Sequence, residues 1–339
     1  MRTDDFDYDL PPERIAQAPI EPRHNSRLMV LSHNEGPAEH TVFRQIGRYL
    51  HPGDLLVINQ TRVIPARIYA HKPTGGKVEV LLLRRVDAQT WETLVGGKKV
   101  RTGTRLTLEH GPGLEIVEAL DGARRLVRFD EPVEGVLPQI GQMPLPPYIH
   151  ERLADPERYQ TVYARDAGSA AAPTAGLHFT RKLMDELAAN GVGFARLTLH
   201  VGLDTFAPVN ESDPAEHKIH TEWCELNSTT AQQINQVHRT GGRIVAVGTT
   251  SVRTLESAAQ KAAEGQLVGA FSGPTDLFIL PGHQFRAVDA MVTNFHLPRS
   301  TLLMLVSAFA GRERILAAYR QAIDMNYRFF SFGDAMLLL

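Results

Sequence analysis

At 339 residues, with 43% hydrophobic and 22% charged residues, the chain can bury one large core or two and has the balance of an ordinary globular protein. A formal net charge of −2 excludes a coat of general affinity for polyanions, so any nucleic-acid site must be local. The single cysteine, Cys224, excludes an internal disulfide and fits a reducing cytoplasm; the acidic start MRTDDFDYDL has no secretory h-region, and the apolar run TLLMLVSAFAG is too short for a bilayer of roughly 30 Å.

From about residue 69 to 148 the pattern differs from its flanks. Short alternating runs, KVEVLLLRR, TWETLVGG, RLTLEH, LEIVEAL and RRLVRFD, are separated by Gly, Asp and Pro turns, which reads as antiparallel strands of a small barrel or sandwich. Residues 1–68 and 149–339 alternate helix and strand signals and should form a sheet covered by helices. Within GGKKVRTGTR, the residues Lys98, Lys99, Arg101 and Arg105 carry no acid among them and are candidates for RNA contact, or simply solvated strand edges. Arg158, Tyr159, Gln160 and Tyr163 in RYQTVY offer groups for phosphates and unstacked bases, or brace the loop that follows.

That loop, GSAAAPTAGLHFT at 168 to 180, is unlike a packed helix or strand. Its small side chains would let a ligand approach the backbone, with Gly168 and Gly176 supplying freedom and Ser169, Thr174 and His178 supplying polar groups. Thr180 is placed to cap the helix RKLMDELAAN, with Gly191 ending it. In FARLTLHVG, Ala195, Leu197, Leu199 and Val201 share one face, which turns His200 toward the other. A helix from Ser228 to Gly241, a buried strand RIVAVG and an amphipathic helix SVRTLESAAQKAAEG closed by Gly265 follow.

Three further segments carry candidate chemistry. VGTTSVRTLES sets Gly248 at a strand end and Thr249, Thr250 and Ser251 at a helix start, where free amides take carboxylates or phosphates or the threonines cap the helix. No GxGxxG turn or GxxxxGKS/T loop occurs, which weakens dehydrogenase and NTPase readings. HKIHTEWCE brings His217, His220, Glu222 and Cys224 together, the last three on one face if extended; without a partner motif such as CxxC or HExxH, a metal is disfavoured. TNFHLPRS places Asn294 and His296 before a turn, then Arg299, a candidate phosphate contact, and Ser300 at a helix start.

The chain also contains, in order, DFDYDLPPERIAQAPIEPRHNSRLMVL, GDLLVINQTRVIPARI, PLPPYI, RYQTVYARDAGSAAAPTAGLHFT, LHVGLDTFAPV, HKIHTEW, VGTTSVRTLES, TNFHLPRSTLLMLVSAF and YRFFSFGDAML. In these blocks it resembles, from end to end, the S-adenosylmethionine:tRNA ribosyltransferase-isomerase family of queuosine biosynthesis. The resemblance implies an α/β fold: a larger helix-covered sheet domain, 1–68 and 149–339, interrupted by a small antiparallel β-barrel domain at 69–148. It implies transfer and isomerisation of the ribosyl group of S-adenosylmethionine onto 7-aminomethyl-7-deazaguanine at the tRNA wobble position, releasing adenine and methionine and leaving epoxyqueuosine. S-adenosylmethionine is then a co-substrate rather than a cofactor, the site is metal-free, and the partner is tRNA with a GUN anticodon. A cytoplasmic monomer that does not engage membranes is expected. Asp204 stands where the family usually has glycine, and Ile219 where methionine is usual.

The implied reaction needs a base for a ribose 5′ hydrogen beside the sulfonium, which directs attention to His178, favoured because it closes the small-residue run, and to His200, His296 and Glu222. Ser169, Thr174, Gly176, Gly248, Thr249, Thr250 and Arg253 are the candidate substrate contacts, Asp276 a candidate proton donor to adenine, and Tyr163 and Phe179 candidate sulfonium neighbours. Two other readings stay open at this point: an S-adenosylmethionine-dependent RNA methyltransferase and a noncatalytic RNA-binding module, with a metal hydrolase further off.

Overall fold

The structure, a computed structural model, describes residues 1–32, 36–97, 100–151, 153–202 and 208–339. Its centre is a nine-stranded sheet in the order Phe271–Thr275, Glu222–Leu226, Gly193–Leu199, Leu55–Asn59, Ile244–Val247, Ala290–Asn294, Ala335–Leu338, Arg27–Leu31 and Glu39–Val42. Four neighbours, from Gly193–Leu199 to Ala290–Asn294, are parallel, with Leu55 in register with Gly193 on one side and Ile244 on the other. Leu55–Asn59, Ile244–Val247 and Ala290–Asn294 are buried at every position, as parallel strands covered on both faces must be.

The pleat distributes that burial. Leu55 and Val57 face a core shared with Ile234, Val252 and Leu255, whereas Leu56 and Ile58 face Phe43, Phe179, Leu183 and Leu187. Helices Ser228–Arg239, Thr249–Ala259, Thr301–Ala310 and Arg312–Asp324 therefore cover one face, and Arg181–Ala189 with the 3-10 turn Phe43–Tyr49 covers the other. Thr180 caps its helix by accepting from the Leu183 amide, and Gly191 follows with φ 82°.

The short strands from Arg67 to Leu108 and Leu114 to Phe129 form a six-stranded antiparallel barrel, closed where Ala70 and His71 pair with Leu108 and Thr107. Alternate residues, among them Ile68, Val80, Leu106, Ile116 and Phe129, fill its interior. Gly141 and Gln142 pair back onto Ile68 and Arg67, so the strands leading in and out lie side by side. A Cβ on Gly141 would sit 1.9 Å from the Pro65 carbonyl, which makes glycine obligatory there.

Two elements differ from the sequence reading. The helix at Thr249 is buried at every residue and ends at Ala259, before Gly265, because strands, loops and the Thr301–Ala310 helix enclose it; it has no solvent face to be amphipathic about. The small-residue run is not an open ligand loop: Asp166–Ser169 pairs in parallel with Thr61–Val63, Thr174–His178 forms a 3-10 turn, and most of the segment is buried.

Candidate active site

The carboxyl ends of the four parallel strands open on one edge, where Gln60, His200, Gly248 and Phe295 follow the last strand residues. Ligands bind at such edges in open α/β sheets. Two groups of side chains gather there.

The first surrounds the Thr174–His178 turn. His178 is buried; its Nδ1 lies 2.7 Å from Ser26 Oγ and its ring stacks on Phe43 with centroids 5.0 Å apart. Burial pushes its pKa down to about 3, against a small opposing effect of the neighbouring Asn294 amide. Asn294 Nδ2 donates to the Phe330 carbonyl at 2.9 Å, which leaves its Oδ1 to face His178. His296 is likewise buried and pushed down to about 3, with Nε2 2.8 Å from Thr293 Oγ1. A histidine titrating near neutrality is thus not what these two offer; both are neutral imidazoles at pH 7. Gly248, at φ 89°, caps the Thr249–Ala259 helix without a side-chain hydrogen bond, and Thr250 Oγ1 is buried with no partner. Neither threonine serves as the cap. A Cβ on Gly248 would lie 3.5 Å from Ala175, which places this helix mouth directly against the turn.

Two clefts flank the turn. One is lined by Thr174, Asn294, His296, Ser300, Tyr148 and Ser331; the other by His178, Arg23, Arg158 and again Ser331. Arg158 is held there by Glu21 at 2.6 Å and the Ile20 carbonyl at 3.1 Å.

The second group is built on Glu222. Its carboxylate is bound by the Arg253 guanidinium, the Gly202 amide at 3.0 Å and His220 at 3.4 Å. Burial alone would raise its pKa; Arg253 and His220 override that and hold it at about 2. Glu222 is therefore an anion committed to Arg253 rather than a base poised near neutrality. Arg253 is in turn fully engaged, donating also to the Leu277 carbonyl at 3.0 Å and the Thr275 carbonyl at 3.4 Å, so it fixes the backbone on either side of the exposed Asp276. His200 stacks on Trp223 with centroids 5.5 Å apart, sets Nδ1 2.8 Å from Thr61 Oγ1 and is pushed down by burial. Ser169 is buried and spent on backbone, donating to the Ala171 carbonyl at 2.7 Å and accepting from the Val201 amide at 2.8 Å.

The glycines of the run accommodate protein, not empty space. A Cβ on Gly168 would lie 2.8 Å from the His200 ring, and one on Gly176 2.1 Å from the Tyr163 hydroxyl. Cys224 is buried, its thiol pushed up to about 11 by burial, and His217 pairs with Glu211 at 2.8 Å instead of joining His220. Among the described residues, no three His, Cys, Asp or Glu side chains are grouped to hold a metal.

Of the proposed RNA contacts, Arg158 lines the cleft beside His178 and the others stand apart from it. Arg299 precedes the Thr301–Ala310 helix rather than starting it, has φ 55° and faces Asp7 at 3.7 Å. Arg101 is exposed on the barrel; Lys98, Lys99 and Asp204 lie outside the described residues. Ser26 and Ser331 were not singled out from sequence. Both lie in the quoted blocks, but only the fold shows that they border His178.

Residues 3–338 match a family model described as "Queuosine biosynthesis protein". The chain is 58% identical over 346 residues to the S-adenosylmethionine:tRNA ribosyltransferase-isomerase of Symbiobacterium thermophilum, covering 100% of both. It is 54% identical over 342 residues to the protein of the same name from Carboxydothermus hydrogenoformans, again covering 100% of both. It is also similar to the crystal structure of an S-adenosylmethionine tRNA ribosyltransferase from Thermotoga maritima, with 41% identity and a TM-score of 0.58 over 99% of this chain and 100% of that one.

Proposed function

Because the chain belongs to the queuosine biosynthesis family of S-adenosylmethionine:tRNA ribosyltransferase-isomerases, we propose the following division of its chemistry among its residues. The enzyme transfers and isomerises the ribosyl group of S-adenosylmethionine on tRNA. The methyltransferase and binding-module readings are not favoured. The acceptor is 7-aminomethyl-7-deazaguanine at the wobble position of tRNA with a GUN anticodon, and S-adenosylmethionine is consumed as a co-substrate, with no further cofactor or metal. The protein acts as a cytoplasmic monomer.

The observation that carries the site assignment is the buried Thr250 hydroxyl, which has no protein partner and sits at the Gly248 helix mouth against Ala175, with Asn294 and His178 lining the two clefts that flank the same turn. Buried polar atoms are almost always satisfied, so unsatisfied ones beside a cleft are suited to a ligand. With its proton on Nδ1 toward Ser26, neutral His178 presents a lone pair at Nε2 for a ribose 5′ hydrogen made acidic by the adjacent sulfonium. The Gly248–Thr250 helix mouth takes the methionyl carboxylate through amides and the Thr250 hydroxyl. Glu222 and Arg253 orient the strand end and the Asp276 loop.

The test is chromatography of small products after incubation with S-adenosylmethionine and tRNA carrying 7-aminomethyl-7-deazaguanine. Adenine and methionine should appear only with the precursor tRNA. S-adenosylhomocysteine instead would mean methyl transfer.

A further inference from the structure

We propose that a trough lined by Arg165, Arg181 and Arg196 seats the sugar-phosphate backbone of the tRNA, on the side of the Thr174–His178 turn marked by Tyr163. The proposal rests on the ribosyl-transfer reading above. Two adjoining clefts, of about 580 Å³ and about 870 Å³, share Arg165 and Arg196 in their walls. The first adds the amides Gln60, Asn227 and Gln233 and the half-buried ring of Phe194; the second adds Arg181, Tyr163 and Asp185.

The charge in this trough is not balanced. All three arginines are exposed, and among the described residues neither Arg181 nor Arg196 forms an ion pair. Arg165 is paired with Asp166 at 2.7 Å, and Asp185 is the one carboxylate among the described residues lining either cleft. The barrel contrasts with this. There Arg105 faces Asp130 at 2.8 Å, Arg124 faces Glu92 at 3.0 Å and Arg85 faces Glu134 at 2.8 Å, so much of its positive charge is neutralised at contact distance. In a chain of net charge −2, the guanidiniums of Arg181 and Arg196, together with the Asp166-paired Arg165 between them, form a local polyanion site along an open groove.

The remaining groups suit RNA rather than a small anion. Guanidiniums bind phosphates with two N–H donors, amides and hydroxyls take ribose oxygens, and a half-exposed aromatic ring accepts an unstacked base. The trough is also joined to the catalytic turn. Tyr163 lines the second cleft, and its hydroxyl fills the space where Gly176 would carry a Cβ. A strand lying in the trough is thus separated from the turn that carries His178 by the Tyr163 ring.

The experiment uses the full chain with precursor tRNA, reading adenine release and, separately, tRNA binding by fluorescence anisotropy across a salt series. R165E/R196E and R181E should raise the tRNA Kd and KM roughly tenfold or more near 0.1 M salt and flatten the log Kd against log salt slope by about one for each contact removed. The KM for S-adenosylmethionine and kcat at saturating tRNA should stay at wild-type values. R165Q/R196Q, which removes charge without adding any, should shift the slope in the same direction and carries the test if the glutamates perturb folding. Wild-type Kd and slope in these variants would overturn the proposal, as would R101E on the barrel producing the loss that they do not. Absence of adenine with wild-type protein would instead count against the ribosyl-transfer reading, while the anisotropy comparison would still decide the trough.

Discussion

The Tyr163 hydroxyl occupies the place of a side chain at Gly176, where an added Cβ would lie 2.1 Å from its oxygen. Tyr163 is buried and that oxygen has no hydrogen-bond partner, so the ring is held by packing alone. G176A must push it aside, at a cost of about 1–3 kcal/mol in urea or thermal unfolding. Y163F removes an unsatisfied buried hydroxyl and should be neutral or stabilising. In G176A/Y163F the alanine should cost less than it does alone; strict additivity in that double-mutant cycle would mean the two residues do not share this space.

That pair also marks how far the sequence could be read. The run GSAAAPTAGLHFT announces that something approaches its backbone closely, but composition does not say what, and the answer is Tyr163 and His200 from other segments. Local signals were legible where the physics is local: Thr180 caps its helix, and alternation marks the barrel strands. Periodicity reports a helix with one wet face, and the Thr249 helix has none. The residue types of the site could be chosen, yet not their partners, since Ser26 meets His178 across 152 positions of sequence. Whether a histidine or glutamate titrates near neutrality depends on burial and neighbours that only the fold supplies.

Arg253 and Glu222 form a buried pair, and removing one charge leaves the other stranded. R253M should cost about 3–5 kcal/mol at pH 7. The wild-type carboxylate, held at about 2, adds stability that is fully present above its ordinary pKa of 4.5 and lost as pH falls toward 2. In R253M the folded-state pKa moves upward, so the deficit should narrow on acidification from pH 7 to pH 4. A deficit that is constant over that range would show that Arg253 acts through packing and its carbonyl contacts alone.

His178 and His296, both lowered from 6.5 to about 3, bind protons less readily folded than unfolded. Their contribution to stability is complete above about pH 6.5 and declines as pH falls through the window down to 3, with a slope of roughly 1.4 kcal/mol per pH unit for each. Urea midpoints should therefore fall from pH 7.5 to pH 5. Replacing either residue by asparagine, which does not titrate, should make that decline shallower even where it lowers stability overall. Midpoints independent of pH down to 5 would mean that both imidazoles take up protons as readily in the native state as in the unfolded chain.

Thr250 separates a structural from a ligand-binding role most cleanly. Its hydroxyl is buried beside the Gly248 helix mouth, accepts no hydrogen bond from the protein and caps nothing, so the fold has no evident use for the oxygen. T250V keeps the shape and removes only that polar atom; a stability change within about 1 kcal/mol is expected, because no protein group is left unpaired. A site built to hydrogen-bond its ligand loses affinity when that donor disappears, so the KM for S-adenosylmethionine should rise roughly tenfold while the KM for tRNA stays put. T250S, which restores the hydroxyl, should recover most of the loss. If T250V retains the wild-type KM for S-adenosylmethionine, the carboxylate does not lie at this helix mouth, and Asn294 and His178, which line the flanking clefts, become the remaining polar anchors on that side of the turn.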